Sequence, residues 1–196
     1  MILTVASFKG GVGKTTTAVH LAVYLQQKAP TLLVDGDLNR SATAWARRGA
    51  LPFKIVDERQ AARYARDYKH VVIDTQARPD QEDLRVLADG CDLLVIPTTA
   101  DALSLDALTL TVSALQSLGS DQFRILLTIL PPRPSRDGDE ARNTLKANKL
   151  PLFKCGIRRR VAFQKAALAG VPVYGVKDPR AAEAWADYVL VGKEIL

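Results

Sequence analysis

The residues most suited to chemistry form a glycine-rich segment with two lysines, Lys9-Gly-Gly-Val-Gly-Lys-Thr-Thr16. Glycines let the backbone curl so that several N–H groups point at one anion. Lys14 adds a positive charge, and the hydroxyl of Thr15 is a ligand for Mg²⁺. The segment departs from the usual phosphate-binding loop because Phe8 stands where the first glycine is expected and Lys9 precedes the other glycines. It predicts a binding site for a nucleoside triphosphate.

Three carboxylates follow apolar, strand-like segments. Asp74 ends Val71-Val-Ile-Asp74, while Asp35 and Asp37 end Leu32-Leu-Val-Asp-Gly-Asp37. Hydrolysis of a triphosphate needs a metal ion and a positioned water molecule, so these side chains are candidates for both tasks. Asp35 and Asp37 are only two residues apart in the chain and could divide the tasks between them. An aspartate in such a position can also cap the next helix, and for Asp37 this alternative stays open.

The elements that must position these residues alternate between strand-like and helix-like patterns. Strands are predicted at 3–8, 31–35, 53–56, 70–74, 93–97, 123–130 and near 152–154. Helices are predicted at about 14–27, 40–48, 58–67, 81–87, 104–118, 140–147, 161–169 and 180–191. Strands such as Val71–Asp74 and Leu93–Ile96 are continuously apolar instead of alternating, which favours an α/β fold with a doubly wound, mostly parallel sheet and helices on both faces. We expect one domain over residues 1–196, with its ligand at the carboxyl ends of the strands.

The net charge of +6 lies in the C-terminal third, where residues 133–196 contain 13 Lys/Arg and 7 Asp/Glu. A one-sided basic surface favours a polyanion such as DNA, although a solvated basic face is the alternative. The proline-rich segment 131–138 is predicted to form either a turn over the ligand, with Pro131 near the nucleotide, or a surface connection. The absence of a leader and of a long apolar run predicts a cytoplasmic protein. Cys91 and Cys155 lack metal-site spacing.

The loop Lys9–Thr16 resembles the deviant Walker A loop of the ParA/MinD superfamily of partition and positioning ATPases, a branch of the P-loop NTPases. Asp35-Gly-Asp37 is similar to the second motif of that family, and Asp74-Thr75 is similar to its Walker B end. Ile157-Arg-Arg-Arg160 and Asp178-Pro-Arg-Ala181 resemble its closing segment, so the likeness covers essentially the whole chain.

The resemblance implies ATP and Mg²⁺ as cofactors and an ATP-dependent homodimer. Lys9 would reach the phosphates of the other subunit, Lys14 would hold the β- and γ-phosphates, and Asp37 would position water. The other implied nucleotide contacts are Gly10, Gly11, Val12, Gly13, Thr15, Thr16 and Pro131. The implied metal ligands are Thr15, Asp35 and Asp74, and the implied DNA contacts are Arg158, Arg159, Arg160 and Lys165.

In the same way the resemblance implies nonspecific, nucleoid-associated DNA binding and slow hydrolysis that an adaptor of the ParB or McdB type would stimulate. The cargo would be a plasmid, a chromosome or an organelle such as the carboxysome. The last residues do not form a basic amphipathic helix, which argues against a membrane partner. Two motifs depart from the family pattern, at Leu38-Asn39 after Asp37 and at Gln76-Ala-Arg-Pro79 after Thr75.

Two other classes stay open at this point. One is a metabolic ATPase, either iron–sulfur reductase-like or small-molecule ligase-like, and the former needs cysteines from two subunits at one cluster. The other is a small GTPase, but Asn148-Lys-Leu-Pro151 lacks the carboxylate that would bond guanine. ATP is therefore the expected nucleotide.

Overall fold

The computed structural model describes residues 1–77 and 81–196, which form alternating strands and helices. Their β-strands are β1 Ile2–Ser7, β2 Thr31–Asp35, β3 Lys54–Asp57, β4 His70–Ala77, β5 Leu93–Thr98 and β6 Phe123–Leu127. Their α-helices are α1 Lys14–Gln26, α2 Ser41–Arg47, α3 Glu58–Tyr64, α4 Gln81–Asp89, α5 Ala102–Ser117, α6 Asp137–Ala147, α7 Val161–Ala169 and α8 Ala181–Ile195. Single 3₁₀ turns lie at Ala65–Asp67 and Val173–Gly175.

The strands form one parallel sheet in the order β3-β2-β4-β1-β5-β6. β1 lies inside the sheet between β4 and β5, and the chain winds outward from it in both directions. All carboxyl ends therefore meet at one edge, and the loop after β1 leaves the sheet where the winding direction changes. This is the position at which doubly wound folds bind ligands.

The core consists of two apolar layers on opposite faces of the sheet. Along β5, Val95 packs with residues of α1, α7 and α8, whereas its neighbours Leu94 and Ile96 pack with residues of α4, α5 and α6. Successive side chains of a strand point to opposite faces, so a strand buried on both faces has to be apolar throughout. The predicted α/β class with helices on both faces is confirmed.

The predicted strand near 152–154 is wrong. Leu152 forms only an isolated parallel bridge with Ile125 of β6. The amide of Phe153 donates to the carbonyl of Ile125, and the next such bond runs from Ile157 to Leu127. The segment thus advances by four residues while β6 advances by two, which breaks the ladder. β6 itself ends at Leu127 and not at residue 130.

Candidate functional site

The glycine-rich loop connects β1 to α1, and its backbone conformation explains its glycines. Gly11 and Gly13 have φ angles of 80° and 82°, in the left-handed region that side chains disfavour. Added Cβ atoms at these positions would meet nothing within 4 Å, so the backbone conformation and not crowding requires glycine. The hydroxyl of Thr128, just beyond β6, donates to the carbonyl of Val12 at 2.7 Å. This bond ties the buried middle of the loop to a neighbouring strand end.

Lys14, the first residue of α1, is buried among groups from the ends of β2 and β4. Its Nζ lies 3.3 Å from Oδ1 of Asp74 and 3.8 Å from Oδ2 of Asp37, and it donates to the carbonyl of Thr75. The strand-end carboxylates and the loop lysine predicted from the sequence therefore converge at one point.

Asp74 is fully buried, and its Oδ2 has no hydrogen-bond partner among the described residues. Burial raises the pKa of Asp74 to about 6, although the charge of Lys14 and hydrogen bonds from Thr15 and Lys14 act in the opposite direction. A buried carboxylate oxygen without a donor, next to a threonine hydroxyl, fits a small hard cation such as Mg²⁺. Thr15 and Asp74 would hold such an ion, with phosphate oxygens and water as its other ligands.

Asp35 and Asp37 have different surroundings. Oδ2 of Asp35 accepts hydrogen bonds from the backbone N–H and the hydroxyl of Thr43, at 2.8 and 2.6 Å. These bonds fix the first turn of α2, so the contacts favour a positioning role, while coordination of a metal by Asp35 stays a prediction. Oδ1 of Asp37 accepts from the N–H of Asn39 at 3.1 Å, and its Oδ2 faces Lys14.

Lys9 points away from the group around Lys14 and towards the segment that follows β5. Its Nζ donates to Oδ1 of Asp101 at 2.7 Å and to the hydroxyl of Ser104 at 2.8 Å, at the start of α5. Asp101 also caps α5 by accepting from the N–H of Ser104, and these bonds hold the pKa of Asp101 below its usual range. Both members of the ion pair are partly exposed, at 35% for Lys9 and 51% for Asp101. Sequence reasoning missed Asp101 and Ser104 because they lie 92 and 95 residues after Lys9.

A cavity of about 750 Å³ opens over the loop and is large enough for a nucleotide. It is lined by the glycines and threonines of the loop, by Lys9, Lys14 and Asp37, and by residues of the C-terminal segment. That segment contributes Ile157, Arg158, Arg159, Arg160, Phe163, Gln164, Ala167 and Tyr188. Val12, whose carbonyl is already bonded to Thr128, and Pro131 are not among the lining residues. Pro131 lines a neighbouring cavity, and its contact with nucleotide stays a prediction.

The four predicted DNA contacts differ in their freedom to bind a phosphate. Arg158 is held by Asp187 through two nitrogens, Arg160 is largely buried against Glu183, and Lys165 pairs with Asp178. Arg159 is exposed and has no side-chain partner among the described residues. Sequence reasoning missed these carboxylates because they lie 13 to 29 residues beyond the basic residues they bind.

The two cysteines bear on the iron–sulfur alternative. Burial raises the pKa of the Cys91 thiol and, together with nearby carboxylates, that of Cys155 to about 11, so neither thiol is poised as an iron ligand. None of the helices in residues 1–77 and 81–196 is long and apolar enough to cross a bilayer.

The second departure from the family motif is Gln76-Ala-Arg-Pro79. Two of its residues, Arg78 and Pro79, lie outside the described residues.

Known proteins resemble this chain along nearly its whole length. The relative from Gloeobacter kilaueensis, "Maintenance of carboxysome distribution protein A", is 38% identical over 201 residues, 99% of this chain and 93% of the relative. A putative plasmid partition protein from Borrelia burgdorferi, bound to AMPPNP, is 19% identical with a TM-score of 0.75, covering 100% of this chain and 99% of its own. A Cyanothece McdA–ATP complex is 18% identical with a TM-score of 0.71, covering 97% and 96%. The two structures support the fold.

The family model described as "CobQ/CobB/MinD/ParA nucleotide binding domain" matches residues 3–173, from β1 to the 3₁₀ turn before α8. The matched segment contains the phosphate loop and all three strand-end carboxylates. The family predicted from those motifs is thereby confirmed, and the chain belongs to the CobQ/CobB/MinD/ParA nucleotide-binding domain family.

Proposed function

We propose that this protein is an Mg²⁺-dependent ATPase that dimerises on ATP, binds DNA without sequence preference and positions an intracellular cargo. An adaptor protein of the ParB or McdB type would trigger hydrolysis, which is slow without it. The single observation that carries this proposal is the difference between the surroundings of the two loop lysines. Lys14 is buried against Asp74 and Asp37, whereas Lys9 lines the same cavity and forms a partly exposed ion pair with Asp101.

The buried group supplies the hydrolytic half of the proposal. Backbone N–H groups of the loop and Lys14 would hold the β- and γ-phosphates, and the Thr16 side chain would contact the α-phosphate. When bound, Mg²⁺ would neutralise phosphate charge at Thr15 and Asp74. Asp37 reaches the cavity and would orient the attacking water, although its bonds to Asn39 limit its rotation.

Lys9 supplies the dimer half. Its side chain lines the nucleotide cavity, and its partners Asp101 and Ser104 lie just beyond the carboxyl end of β5, and we take this edge of the sheet to be the one that a second copy approaches. Exchange of Asp101 for a phosphate of the facing subunit replaces one ion pair by another. The net cost is small because exposed ion pairs contribute at most about 1 kcal/mol.

The dimer is tested with purified Lys9→Ala and Asp37→Ala proteins by light scattering with ATP and Mg²⁺. Lys9→Ala should remain monomeric, and Asp37→Ala should accumulate as a dimer because hydrolysis no longer releases it. Lys28→Ala, which removes an exposed lysine at the far end of α1, should behave as wild type. Dimers that form equally without ATP in both variants would contradict the mechanism.

DNA binding is supported by the basic C-terminal third and by Arg159, an exposed cation beside the nucleotide cavity. Affinity should require ATP, be equal for unrelated duplexes, and fall steeply between 50 and 200 mM salt as counterions are released. Fluorescence anisotropy measures this. Arg158→Ala together with Arg160→Ala should weaken binding, and unchanged binding would remove these residues from the interface.

The cargo is inferred from the relatives' names, which refer to carboxysome distribution and to plasmid partition. The identity of 38% over nearly the full chain favours the carboxysome. A fluorescent fusion should spread over the nucleoid in the cytoplasm, and deletion of the gene should cluster the cargo at one place in the cell. Stoichiometric iron in the purified protein would instead favour the iron–sulfur alternative.

A further inference from the structure

A second cavity, of about 330 Å³, lies next to the nucleotide cavity between the proline-rich segment and the N-terminal end of α6. Its lining contains six arginines, which come from four separate parts of the chain. These are Arg133, Arg142, Arg158, Arg159, Arg160 and Arg180. We name it the arginine cavity.

The carboxylates around these arginines are too few to neutralise them. Asp139 is the acidic residue among the described lining, Asp187 holds Arg158, and one oxygen of Glu183 is shared by Arg160 and Arg180. Six arginines thus outnumber the three carboxylates that line the cavity or pair with them, and Asp178, whose charge also acts on Arg160, is already paired with Lys165. Like charges this close repel one another unless an anion lies between them.

Several donors of the cavity have no partner. Arg133 and Arg159 make no side-chain hydrogen bond or ion pair with the described residues, and Nε of Arg160 is buried without one. A buried N–H without an acceptor costs free energy, so an acceptor at this point would stabilise the protein. Guanidinium groups donate in pairs to oxygens of phosphate or carboxylate.

We propose that the arginine cavity binds a phosphate group, at a site separate from the phosphate loop. Arg133 and Arg159 would be its main donors, and Arg180 would close its side, because its pairing with Glu183 is long at 3.3 Å and its side chain is 61% exposed. The cavity opens at the surface beside Arg158–Arg160, which also line the nucleotide cavity. If the phosphate belongs to the DNA backbone, this inference rests on the proposed function. If it is a free phosphate or polyphosphate, the inference does not depend on that function.

The chain offers a matched pair of variants on the same segment. Arg133 lines the arginine cavity, and Arg136, three residues later and also exposed, does not. Arg133→Glu and Arg136→Glu change the net charge equally. A difference in binding between these two variants is therefore caused by the arginine cavity and not by the net charge of the protein. Arg133→Ala and Arg136→Ala give the same comparison without charge reversal.

The first arm of the test measures nonspecific duplex binding by anisotropy with ATP and Mg²⁺ between 50 and 200 mM salt. If DNA supplies the phosphate, Arg133→Ala should weaken binding about tenfold and lower the salt slope by about one, and Arg136→Ala should do neither. The second arm saturates the protein with AMPPNP and Mg²⁺ and titrates inorganic tripolyphosphate by calorimetry. A free-anion site gives one further binding event, which Arg133→Glu abolishes and Arg136→Glu preserves.

Each outcome is decisive. A selective effect of Arg133 in the first arm assigns the cavity to DNA, and a selective effect in the second arm alone assigns it to a free phosphate compound. If the wild type fails to bind DNA at all, the proposed function is wrong while the second arm still tests the cavity. Equal effects of Arg133 and Arg136 in both arms, or no second-site binding and unchanged DNA affinity, would overturn the proposal.

Discussion

Replacing Asp74 by asparagine should make the nucleotide-free protein more stable while it removes ATP hydrolysis. Asp74 ends β4 and is fully buried, and one of its oxygens lacks a partner among the described residues. The ordinary pKa of its carboxyl group is 3.8, and burial raises it to about 6. The folded protein therefore holds an ionised carboxylate that it stabilises poorly, as expected of a group that awaits a cation.

The magnitude follows from this shift. At 1.36 kcal/mol per pKa unit, a rise from 3.8 to about 6 corresponds to about 3 kcal/mol of destabilisation above pH 7. Asparagine removes the charge and keeps an acceptor for Lys14, which loses one ion pair in the exchange. We expect the free energy of unfolding of Asp74→Asn to exceed that of wild type by about 1–3 kcal/mol at pH 8.

The sign of the pH dependence follows from proton binding. Between pH 4 and 6 the folded protein binds more protons at Asp74 than the unfolded chain does, so the destabilisation that Asp74 causes in wild type decreases as the pH falls from 7 to 4. Protonation of Asp74 then leaves a neutral group, as the asparagine does. The difference between wild type and Asp74→Asn should therefore shrink towards zero near pH 4.

Urea unfolding in EDTA without nucleotide, from pH 4.5 to 8.5, measures this difference. Asp35→Asn is the matched control, because Asp35 pairs with Asp74 in register on β2 and is equally buried, but accepts two hydrogen bonds from Thr43. In Asp35→Asn those two bonds lose their charged acceptor and weaken, so this variant should lose about 1 kcal/mol. The reasoning is refuted if Asp74→Asn is the less stable protein at pH 8, or if its advantage persists unchanged at pH 4.5.

Three other outcomes are expected. Gly192→Ala should lower stability by about 1–3 kcal/mol or more in thermal unfolding, because a Cβ there would lie 2.3–2.5 Å from ring carbons of Tyr24, where α8 packs on α1. Asp101→Asn should release Lys9 and lower the ATP concentration needed for dimers up to about fivefold in light scattering. Cys155, whose pKa is raised to about 11, should react with iodoacetamide at pH 8 more than about tenfold slower in the folded than in the unfolded protein.

The sequence predicted those features that a short segment determines by itself. The phosphate loop depends on the φ angles of Gly11 and Gly13, and these follow from residue type. The meeting of Asp35 and Asp74 required only that their strands be parallel neighbours, since the carboxyl ends of such strands coincide. Both inferences succeed because they depend on local backbone preference and on one topological rule.

The features that the sequence did not predict depend on partners far along the chain. The segment around Leu152 is predicted as a strand because it is apolar. Its pairing with β6 ends because four residues of this segment span the length of two residues of β6. Arg158 stays a predicted phosphate contact, but the sequence did not predict that Asp187, 29 residues later, holds it through two nitrogens. No local pattern in the sequence distinguishes a paired from an unpaired arginine.

The two loop lysines show why position and not residue type decides function here. Lys14 begins a buried helix and is surrounded by Asp74, Asp37 and a strand-end carbonyl, so it would have to give up several buried contacts at once to bind a group on another subunit. Lys9 is held by Asp101 at a partly exposed site, where solvent has already weakened the ion pair. Lys9 can therefore exchange partners at low cost when a second copy arrives, and Lys14 cannot. This difference in burial suits one lysine to holding nucleotide and the other to joining subunits.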